Sequence, residues 1–274
     1  MSVTVITGAG GGMGRACVER FRGDRLLLVD IDVQALEGVR GLAPEATCAV
    51  ADLGTRASVE ALVRRTVASG GLHRLVHLAG VSPMMDDAAR ILEVDLVGTA
   101  ALLDGLAAAA GPGSVAICIA SIAAHLLPVA PEVQTVLDDP LAPDLTARLE
   151  RALDTPLTPG TAYALAKHGV VRLCQRSAVA WGRRGARVVS VSPGLIDTAM
   201  GRLELRDNPG KRGLIGRTPV PAPPHDGGSD ELPGRTADIA DVVEFLAGPQ
   251  ARFISGCDVR VDGGLVAALT AAPE

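Results

Sequence analysis

Short apolar runs alternate with amphipathic stretches along the whole chain. Runs such as residues 3–7 (VTVIT) and 25–30 (RLLLVD) are nearly continuous in Val, Leu, Ile and Thr, which is typical of strands buried on both faces of a parallel sheet. The pattern predicts strands at 3–7, 25–30, 46–52, 72–80, 113–121, 186–194 and 257–264. It predicts helices at 14–21, 32–40, 56–69, 89–110, 161–182 and 236–248. Such alternation predicts an α/β fold, with a doubly wound parallel sheet of about seven strands and helices on both faces.

Two segments interrupt this alternation. Residues 125–160 contain an apolar stripe of Leu145, Leu149 and Leu153, which predicts a small helical insertion. Residues 199–235 are rich in proline and glycine. Such a segment is typical of a lid, a binding loop or a disordered stretch, and we expect a mobile substrate loop. No linker divides residues 1–274, so we expect a single domain.

Composition and charge exclude several classes of function. The net charge is −5 and the sequence pI is about 5.6, so nothing predicts a nucleic-acid surface. No apolar run approaches the ~18 residues that a membrane span needs, and the first apolar run lacks the basic flank of a signal peptide. Five scattered cysteines without a C-x-x-C pattern, and five histidines without ligand spacing, predict a cytoplasmic protein without a metal.

A glycine-rich loop follows the first predicted strand. Its sequence is ITGAGGGMGRA, and the spacing T-G-x-x-x-G-x-G is met by Thr7, Gly8, Gly12 and Gly14. Glycines let the backbone turn tightly and approach a pyrophosphate, which the free N–H groups of the following helix would face. The alternative is a merely tight turn between strand and helix. Five glycines within seven residues favour a dinucleotide site.

Two acidic residues end the second and third predicted strands. Asp30 lies sixteen residues after Gly14, where a carboxylate would bind the ribose hydroxyls of an adenine nucleotide and repel a 2′-phosphate. No basic residue stands at Gly11 or Ile31, so we expect NAD rather than NADP. Asp52 is placed either to bond the adenine amino group or to cap the next turn.

The stretch YALAK contains the only tyrosine of the chain, Tyr163, and one of its two lysines, Lys167. A spacing of four residues stacks both side chains on one face of a helix. The pair is open to two interpretations. Tyr163 is either a core side chain with a solvated neighbour, or a phenol whose proton is loosened by an ammonium group.

In combination, these motifs resemble the short-chain dehydrogenase/reductase family over nearly the whole chain. The resemblance implies a Rossmann-like fold. It rests on six motifs in the expected order: TGAGGGMG, HLAG (77–80), ICIAS ending at Ser121, YALAK, Pro193-Gly194 followed by Thr198, and VDGG (261–264). His77 and Leu78 replace asparagines of the family pattern. Because each motif falls on its expected element, the combination is far more specific than any one of them.

The resemblance also implies roles for individual residues. Tyr163 is expected to be the general acid/base, Lys167 to lower the pKa of its phenol and hold the ribose, and Ser121 to orient the substrate oxygen. Residues expected to bind the cofactor are Thr7, Gly8, Gly12, Met13, Gly14, Asp30, Asp52, Leu53, Ala79, Gly80, Tyr163, Lys167, Pro193, Gly194, Ile196 and Thr198.

The chain departs from the family pattern at two places. Asp95 stands in VDLVG, where most members have an asparagine that anchors a proton-relay water. Either the relay runs through a water held by this carboxylate, or the rate is reduced. Ser121 and Tyr163 are 42 residues apart, further than in most members. The insertion at 125–160 explains this and resembles the 3α-hydroxysteroid dehydrogenase/carbonyl reductase subgroup; it would contact substrate or cover the face used for dimer contacts.

The resemblance implies an NAD(H)-dependent oxidoreductase acting on a hydrophobic secondary alcohol or ketone, with steroids and other alicyclic compounds as candidates. Family habit implies a homo-oligomer, a tetramer first and a dimer second. The alternatives are a dinucleotide-binding regulator that has lost catalysis and a different chemistry on the same fold, such as epimerisation.

Overall fold

A parallel sheet forms the centre of the protein in the computed structural model, which describes residues 2–207, 209–220 and 232–271. Within these residues the sheet has seven strands in the order β3-β2-β1-β4-β5-β6-β7, and every pairing is parallel. The strands are β1 (Val3–Thr7), β2 (Leu26–Asp30), β3 (Thr47–Val50), β4 (Leu72–His77), β5 (Val115–Ile119), β6 (Arg187–Pro193) and β7 (Asp258–Val261). This confirms the predicted doubly wound α/β fold.

Helices cover both faces of the sheet. They are α1 (Gly12–Phe21), α2 (Val33–Arg40), α3 (Arg56–Ala68), α4 (Ala88–Leu92), α5 (Thr99–Ala107), α6 (Pro131–Leu137), α7 (Leu145–Leu153), α8 (Pro159–Gly182), α9 (Ala199–Asp207), α10 (Pro209–Ile215), α11 (Thr236–Ala247) and α12 (Leu265–Thr270). Short 3₁₀ turns lie at Ile122–His125 and Pro249–Ala251. None of the described helices combines the length and apolar character needed to cross a membrane.

Burial explains why the strands are so apolar. One hydrophobic cluster packs α3, α5 and α8 against one face of the sheet, and a second packs α1, α2 and α11 against the other. Every residue of β1 and β5 is buried, whereas the edge strands β3 and β7 are partly exposed. The continuous Val/Leu/Ile runs are therefore confined to the central strands, as double-sided burial requires.

The helix predicted over 89–110 runs without a gap from residue 88 to residue 107, but it is not an α-helix throughout. It is divided into α4, a π-helical segment (Glu93–Gly98) and α5. Gly98 ends the π-helical segment, and a Cβ there would lie 2.2 Å from the carbonyl oxygen of Leu53. Close backbone contact and a wider turn are features that apolar periodicity does not report, which is why the pattern predicted one helix.

The two interrupting segments both contain helices. The 125–160 segment contains α6 and α7, and α7 buries Leu145 and Leu149 in the core. The segment predicted as a mobile loop over 199–235 begins with α9 and α10. Its proline-rich part at 221–231 lies outside the described residues. The prediction failed for α9 because Pro and Gly are concentrated after residue 208, while residues 199–207 have ordinary helix formers.

Candidate active site

Two adjoining cavities open where the strand order reverses between β1 and β4. In doubly wound sheets, ligands bind at this place, beyond the carboxyl ends of the strands. The larger cavity, of about 570 Å³, follows the glycine loop and is named the loop cleft. The smaller one, of about 310 Å³, contains Tyr163 and is named the tyrosine pocket. Both are lined by Met13, Leu78, Gly80, Val81, Thr198 and Met200, so a ligand in one lies next to a ligand in the other.

The glycine loop is shaped by close backbone contacts. Gly8 has φ +66°, and a Cβ there would lie 2.8 Å from the amide nitrogen of Ala79. A Cβ on Gly14 would lie 2.0 Å from the carbonyl oxygen of Gly8. A Cβ on Gly12 would lie 3.2 Å from the Thr198 side chain. The loop therefore packs α1 tightly on β1 and turns the N-terminus of this ten-residue helix towards the cleft, which is the arrangement that a pyrophosphate requires.

Asp30 lies at the end of β2 and lines the loop cleft. Its Oδ2 accepts a hydrogen bond from the Gly10 amide at 2.9 Å, and its Oδ1 accepts one from the Asp32 amide at 3.1 Å. The carboxylate is thereby fixed beside the glycine loop. Asp32, not Asp30, caps α2, because its side chain accepts from the Gln34 amide. Asp30 therefore lines the cleft with both of its oxygens accepting from backbone amides, and its role as a ribose-binding residue stays a prediction.

Asp52 also lines the loop cleft, but its carboxylate already has partners. Oδ1 accepts from the Gly54 amide at 2.9 Å and from Nη2 of Arg90 at 2.6 Å. The turn-capping role is therefore present, while an adenine contact stays a prediction. Arg90 lines the cleft as well. Sequence reasoning missed it because it lies in the first turn of a helix, 38 residues from its partner.

Thr7 lies beneath the glycine loop in a buried hydrogen-bond chain. The Thr99 hydroxyl donates to the carbonyl oxygen of Asp95 at 2.7 Å, so it accepts from Nε2–H of His77 at 2.8 Å. Nδ1 of His77 then accepts from the Thr7 hydroxyl at 2.7 Å, and this hydroxyl accepts from the Ala79 amide at 3.3 Å. Burial lowers the pKa of His77 to about 3. A neutral imidazole thus connects β1 to the π-helical segment.

The start of α8 sets the position of Tyr163. The Thr158 hydroxyl caps the helix by accepting from the Thr161 amide at 3.1 Å, and Pro159 occupies the first turn. Tyr163 and Lys167 then face the tyrosine pocket one turn apart, with Nζ of Lys167 5.6 Å from the centre of the tyrosine ring. Ser121 joins them from the end of β5, where its Oγ accepts from the Ala123 amide at 3.2 Å.

Lys167 forms a buried ion pair with Asp95 behind the pocket wall. Nζ of Lys167 lies 3.1 Å from Oδ2 of Asp95 and donates to the carbonyl oxygen of Ile119 at 3.4 Å. Oδ1 of Asp95 accepts from the Val81 amide at 2.8 Å. Burial raises the pKa of Asp95, opposed by Lys167. Burial acts to lower the pKa of Lys167, but Asp95 and then Tyr163 outweigh it, so the pKa is raised and the ammonium stays charged.

The pKa of Tyr163 is raised, contrary to the expectation that Lys167 would lower it below its usual value. Burial is the largest cause. Lys167 does act to lower the pKa, and so does hydrogen bonding with Ser121, but the carboxylates of Asp95 and Glu204 act against them. The sequence could not show this balance, because it depends on how deeply the phenol is buried and on two carboxylates distant in sequence.

The remaining wall of the tyrosine pocket is mainly apolar. Its apolar side chains include Val81, Ile122, Leu126, Met200, Leu205, Leu214 and Leu232. Glu204 of α9 and Lys211 of α10 also line it and form an ion pair with each other. Sequence reasoning did not single them out, since it treated their segment as an irregular loop.

The structure brings most of the expected site residues to these two cavities. The loop cleft is lined by Gly8, Gly12, Met13, Gly14, Asp30, Asp52, Leu53, Ala79, Gly80 and Thr198. The tyrosine pocket is lined by Met13, Gly80, Ser121, Tyr163, Lys167, Pro193, Gly194, Ile196 and Thr198. Thr7 and Asp95 stand behind these walls and fix residues that line them.

Comparison with known proteins gives matches over nearly the full chain. Residues 8–134 and 155–266 match the family model described as enoyl-(acyl carrier protein) reductase. A short-chain dehydrogenase/reductase of Alternaria brassicicola is 29% identical over 98% of this chain and 97% of its own length. The 3-alpha-hydroxysteroid dehydrogenase/carbonyl reductase of Comamonas testosteroni is 26% identical over 98% of each chain. The structure of a 3-alpha-hydroxysteroid dehydrogenase from Pseudomonas sp. B-0831, complexed with NADH, is 31% identical, covers 100% of both chains and has a TM-score of 0.75.

Proposed function

The chain belongs to the short-chain dehydrogenase/reductase family of oxidoreductases, and we propose that it interconverts a hydrophobic secondary alcohol and its ketone with NAD(H). The observation that carries this proposal is the convergence of Ser121, Tyr163 and Lys167 on one pocket beside the loop cleft. A phenol, a hydroxyl and an ammonium group at the junction of two cavities provide a proton donor and acceptor where an alcohol would meet a dinucleotide.

The loop cleft fits a nicotinamide dinucleotide. It is lined by Gly8, Gly12 and Gly14, and the close backbone packing at Gly8 and Gly14 brings the N-terminus of α1 to the cleft. We assign the pyrophosphate to this loop and the adenosine ribose to Asp30, whose fixed carboxylate favours NAD over NADP. The nicotinamide end of the cofactor would be held by Pro193, Gly194, Ile196 and Thr198. Its ring would accept or donate the hydride.

Tyr163 is assigned to the proton transfer. In oxidation its phenolate takes the proton of the alcohol hydroxyl, and in reduction its phenol returns a proton to the carbonyl oxygen. Lys167 favours the phenolate electrostatically, and we assign it to the ribose hydroxyls as well. Ser121 donates a hydrogen bond to the same substrate oxygen and thereby orients it.

Asp95 is assigned a positioning role. Through its ion pair it fixes Nζ of Lys167, and through Oδ1 it fixes the backbone at Val81, where the two cavities meet. Its negative charge also raises the pKa of Tyr163. Asp95 therefore fixes Lys167 and Val81 in place. Its negative charge also disfavours the Tyr163 phenolate, an effect that an uncharged asparagine would not have.

The apolar lining of the tyrosine pocket favours a hydrophobic substrate such as an alicyclic alcohol or a steroid. The 3-alpha-hydroxysteroid dehydrogenases among the relatives support this choice of substrates to test. A regulator without catalysis has only Asp95 in its favour, and the presence of Ser121, Tyr163 and Lys167 in one pocket favours the oxidoreductase.

Two further proposals concern location and assembly. We propose a cytoplasmic location, because all five cysteines are free thiols and free thiols are typical of a reducing compartment. A homo-oligomer, a tetramer first and a dimer second, stays a prediction from the family resemblance, and light scattering of the purified protein tests it.

The experiment that tests the proposed function is a screen of alicyclic and steroid secondary alcohols with NAD and with NADP, followed by absorbance of the reduced cofactor. We expect oxidation of at least one alcohol, with higher kcat/KM for NAD. If the protein binds NADH but neither oxidises any of the alcohols nor reduces any of the matching ketones, the result would favour the regulator instead.

A further inference from the structure

Both lysines of the chain line the tyrosine pocket. Lys167 belongs to the site already described, whereas Lys211 comes from α10 and pairs with Glu204 of α9. The Glu204 side chain is 13% exposed and that of Lys211 is 29% exposed. A mostly buried ion pair in an apolar wall costs desolvation energy that its own attraction only partly offsets. Such a pair in a ligand pocket is therefore a candidate for ligand recognition.

The ion pair leaves hydrogen-bonding capacity directed at whatever fills the pocket. Lys211 donates to Oε2 of Glu204, and within the described part of the chain neither side chain takes part in another hydrogen bond. An ammonium group has three N–H donors, and a carboxylate has two acceptor oxygens. An entirely apolar ligand would cover these groups without replacing the water that they lose, which is unfavourable.

The chemistry of the pair selects among polar ligand groups. A carboxylate on the ligand would be attracted by Lys211 but repelled by Glu204, and an ammonium group would meet the reverse. A carbonyl oxygen can only accept a hydrogen bond. A hydroxyl group can accept from Lys211 and donate to Glu204 at the same time, and it carries no charge.

We propose that Glu204 and Lys211 bind a second hydroxyl group of the substrate, so that the preferred substrates are apolar diols, or hydroxyketones in the direction of reduction. This inference rests on the proposed function, in which Ser121 and Tyr163 take the reacting carbinol. The second hydroxyl does not react; it fixes which end of the alicyclic body enters the site. Glu204 and Lys211 thus determine substrate specificity, while the apolar side chains hold the carbon skeleton.

Turnover of matched diols and monols tests the proposal. The pairs are cyclohexanediol against cyclohexanol, decalindiol against decalol and androstanediol against androstanol, each oxidised with NAD. We expect kcat/KM to be about tenfold to hundredfold higher for at least one diol than for its monol, as expected for hydrogen bonds to charged groups. In the E204Q/K211M variant this ratio should fall to nearly one. The R56M/E60Q variant, which removes an exposed ion pair on α3, serves as the matched control and should keep the wild-type ratio.

Binding followed by NMR separates this proposal from the proposed function. In protein labelled with ¹⁵N-lysine, the ammonium signals come from Lys167 and Lys211 alone, and K211M identifies them. In the NADH-bound protein, we expect the Lys211 signal to shift and saturate at a lower concentration of diol than of monol. The Lys167 signal reports that either compound fills the pocket.

The outcomes are distinct. Failure of every alcohol to react would remove the proposed function, and the Lys211 titration would still decide whether a second hydroxyl is recognised. Equal turnover and equal binding of every diol and its monol would overturn the diol proposal while leaving the oxidoreductase intact. A diol preference that survives in E204Q/K211M would overturn it as well.

Discussion

The buried histidine beneath the glycine loop predicts a specific loss of stability in mild acid. His77 is 2% exposed, and its pKa is lowered from 6.5 to about 3, first by burial and then by Lys167. The unfolded chain takes up a proton at this imidazole below pH 6.5, whereas the folded protein does not. Stability from His77 is therefore present above pH 6.5 and lost as the pH falls towards 3. At pH 5 the loss is about 2 kcal/mol, and it does not depend on the folded pKa as long as that value is well below 5.

Replacement of His77 by asparagine tests this magnitude. The variant has no imidazole at this position, so its pH dependence lacks this titration. Urea unfolding, followed by fluorescence of the buried Trp181, gives the free energy of unfolding at pH 7 and pH 5. We expect the decrease between these pH values to be about 2 kcal/mol larger in wild type than in H77N.

A control comes from His73, which is only partly buried and whose pKa burial lowers to a smaller degree. H73N should change the pH dependence in the same direction, but by less. An identical pH dependence of wild type and H77N would refute the reasoning, because it would mean that His77 binds a proton in the folded protein as readily as in the unfolded chain.

Three further predictions concern the site itself. D95N removes a carboxylate that raises the pKa of Tyr163. The phenolate absorbance of this single tyrosine should therefore appear at lower pH, and kcat/KM for oxidation should rise at lower pH as well. An unchanged titration would contradict the electrostatic coupling between Asp95 and Tyr163. D30N should strengthen NADP binding by about tenfold or more, measured by cofactor fluorescence, because it removes the charge that repels a 2′-phosphate. G14A should lower the free energy of unfolding by about 1–3 kcal/mol and weaken NADH binding, because the new Cβ would lie 2.0 Å from the carbonyl oxygen of Gly8. G23A is the control: open space surrounds Gly23, so neither quantity should change.

The sequence was sufficient for the fold and for the placement of Tyr163, Lys167 and the glycine loop, because these depend on local pattern. Strands buried on two faces are recorded as continuous apolar runs, and the i,i+4 spacing of Tyr163 and Lys167 survives in any undistorted helix. The glycine loop was predictable for the same reason, since tight backbone approach leaves glycine as the only residue that fits at Gly8 and Gly14.

The sequence could not predict features that depend on distance in space. The π-helical segment that presents Asp95 looks like ordinary helix in the hydrophobic pattern. The partners Asp52 and Arg90 are far apart along the chain, and Glu204 and Lys211 face the pocket only because α9 and α10 form in a segment expected to be irregular. The net pKa of Tyr163 depends on burial, which no spacing of motifs records.

The most direct test of the catalytic assignment is the Y163F variant assayed on an alcohol that the wild type oxidises. Phenylalanine keeps the ring in place and removes the only group that we assign to proton transfer. We expect kcat to fall by about 10²- to 10⁴-fold, while NADH binding, measured by cofactor fluorescence, stays close to that of wild type. Y163F with wild-type kcat would contradict the assignment of Tyr163 as the general acid/base.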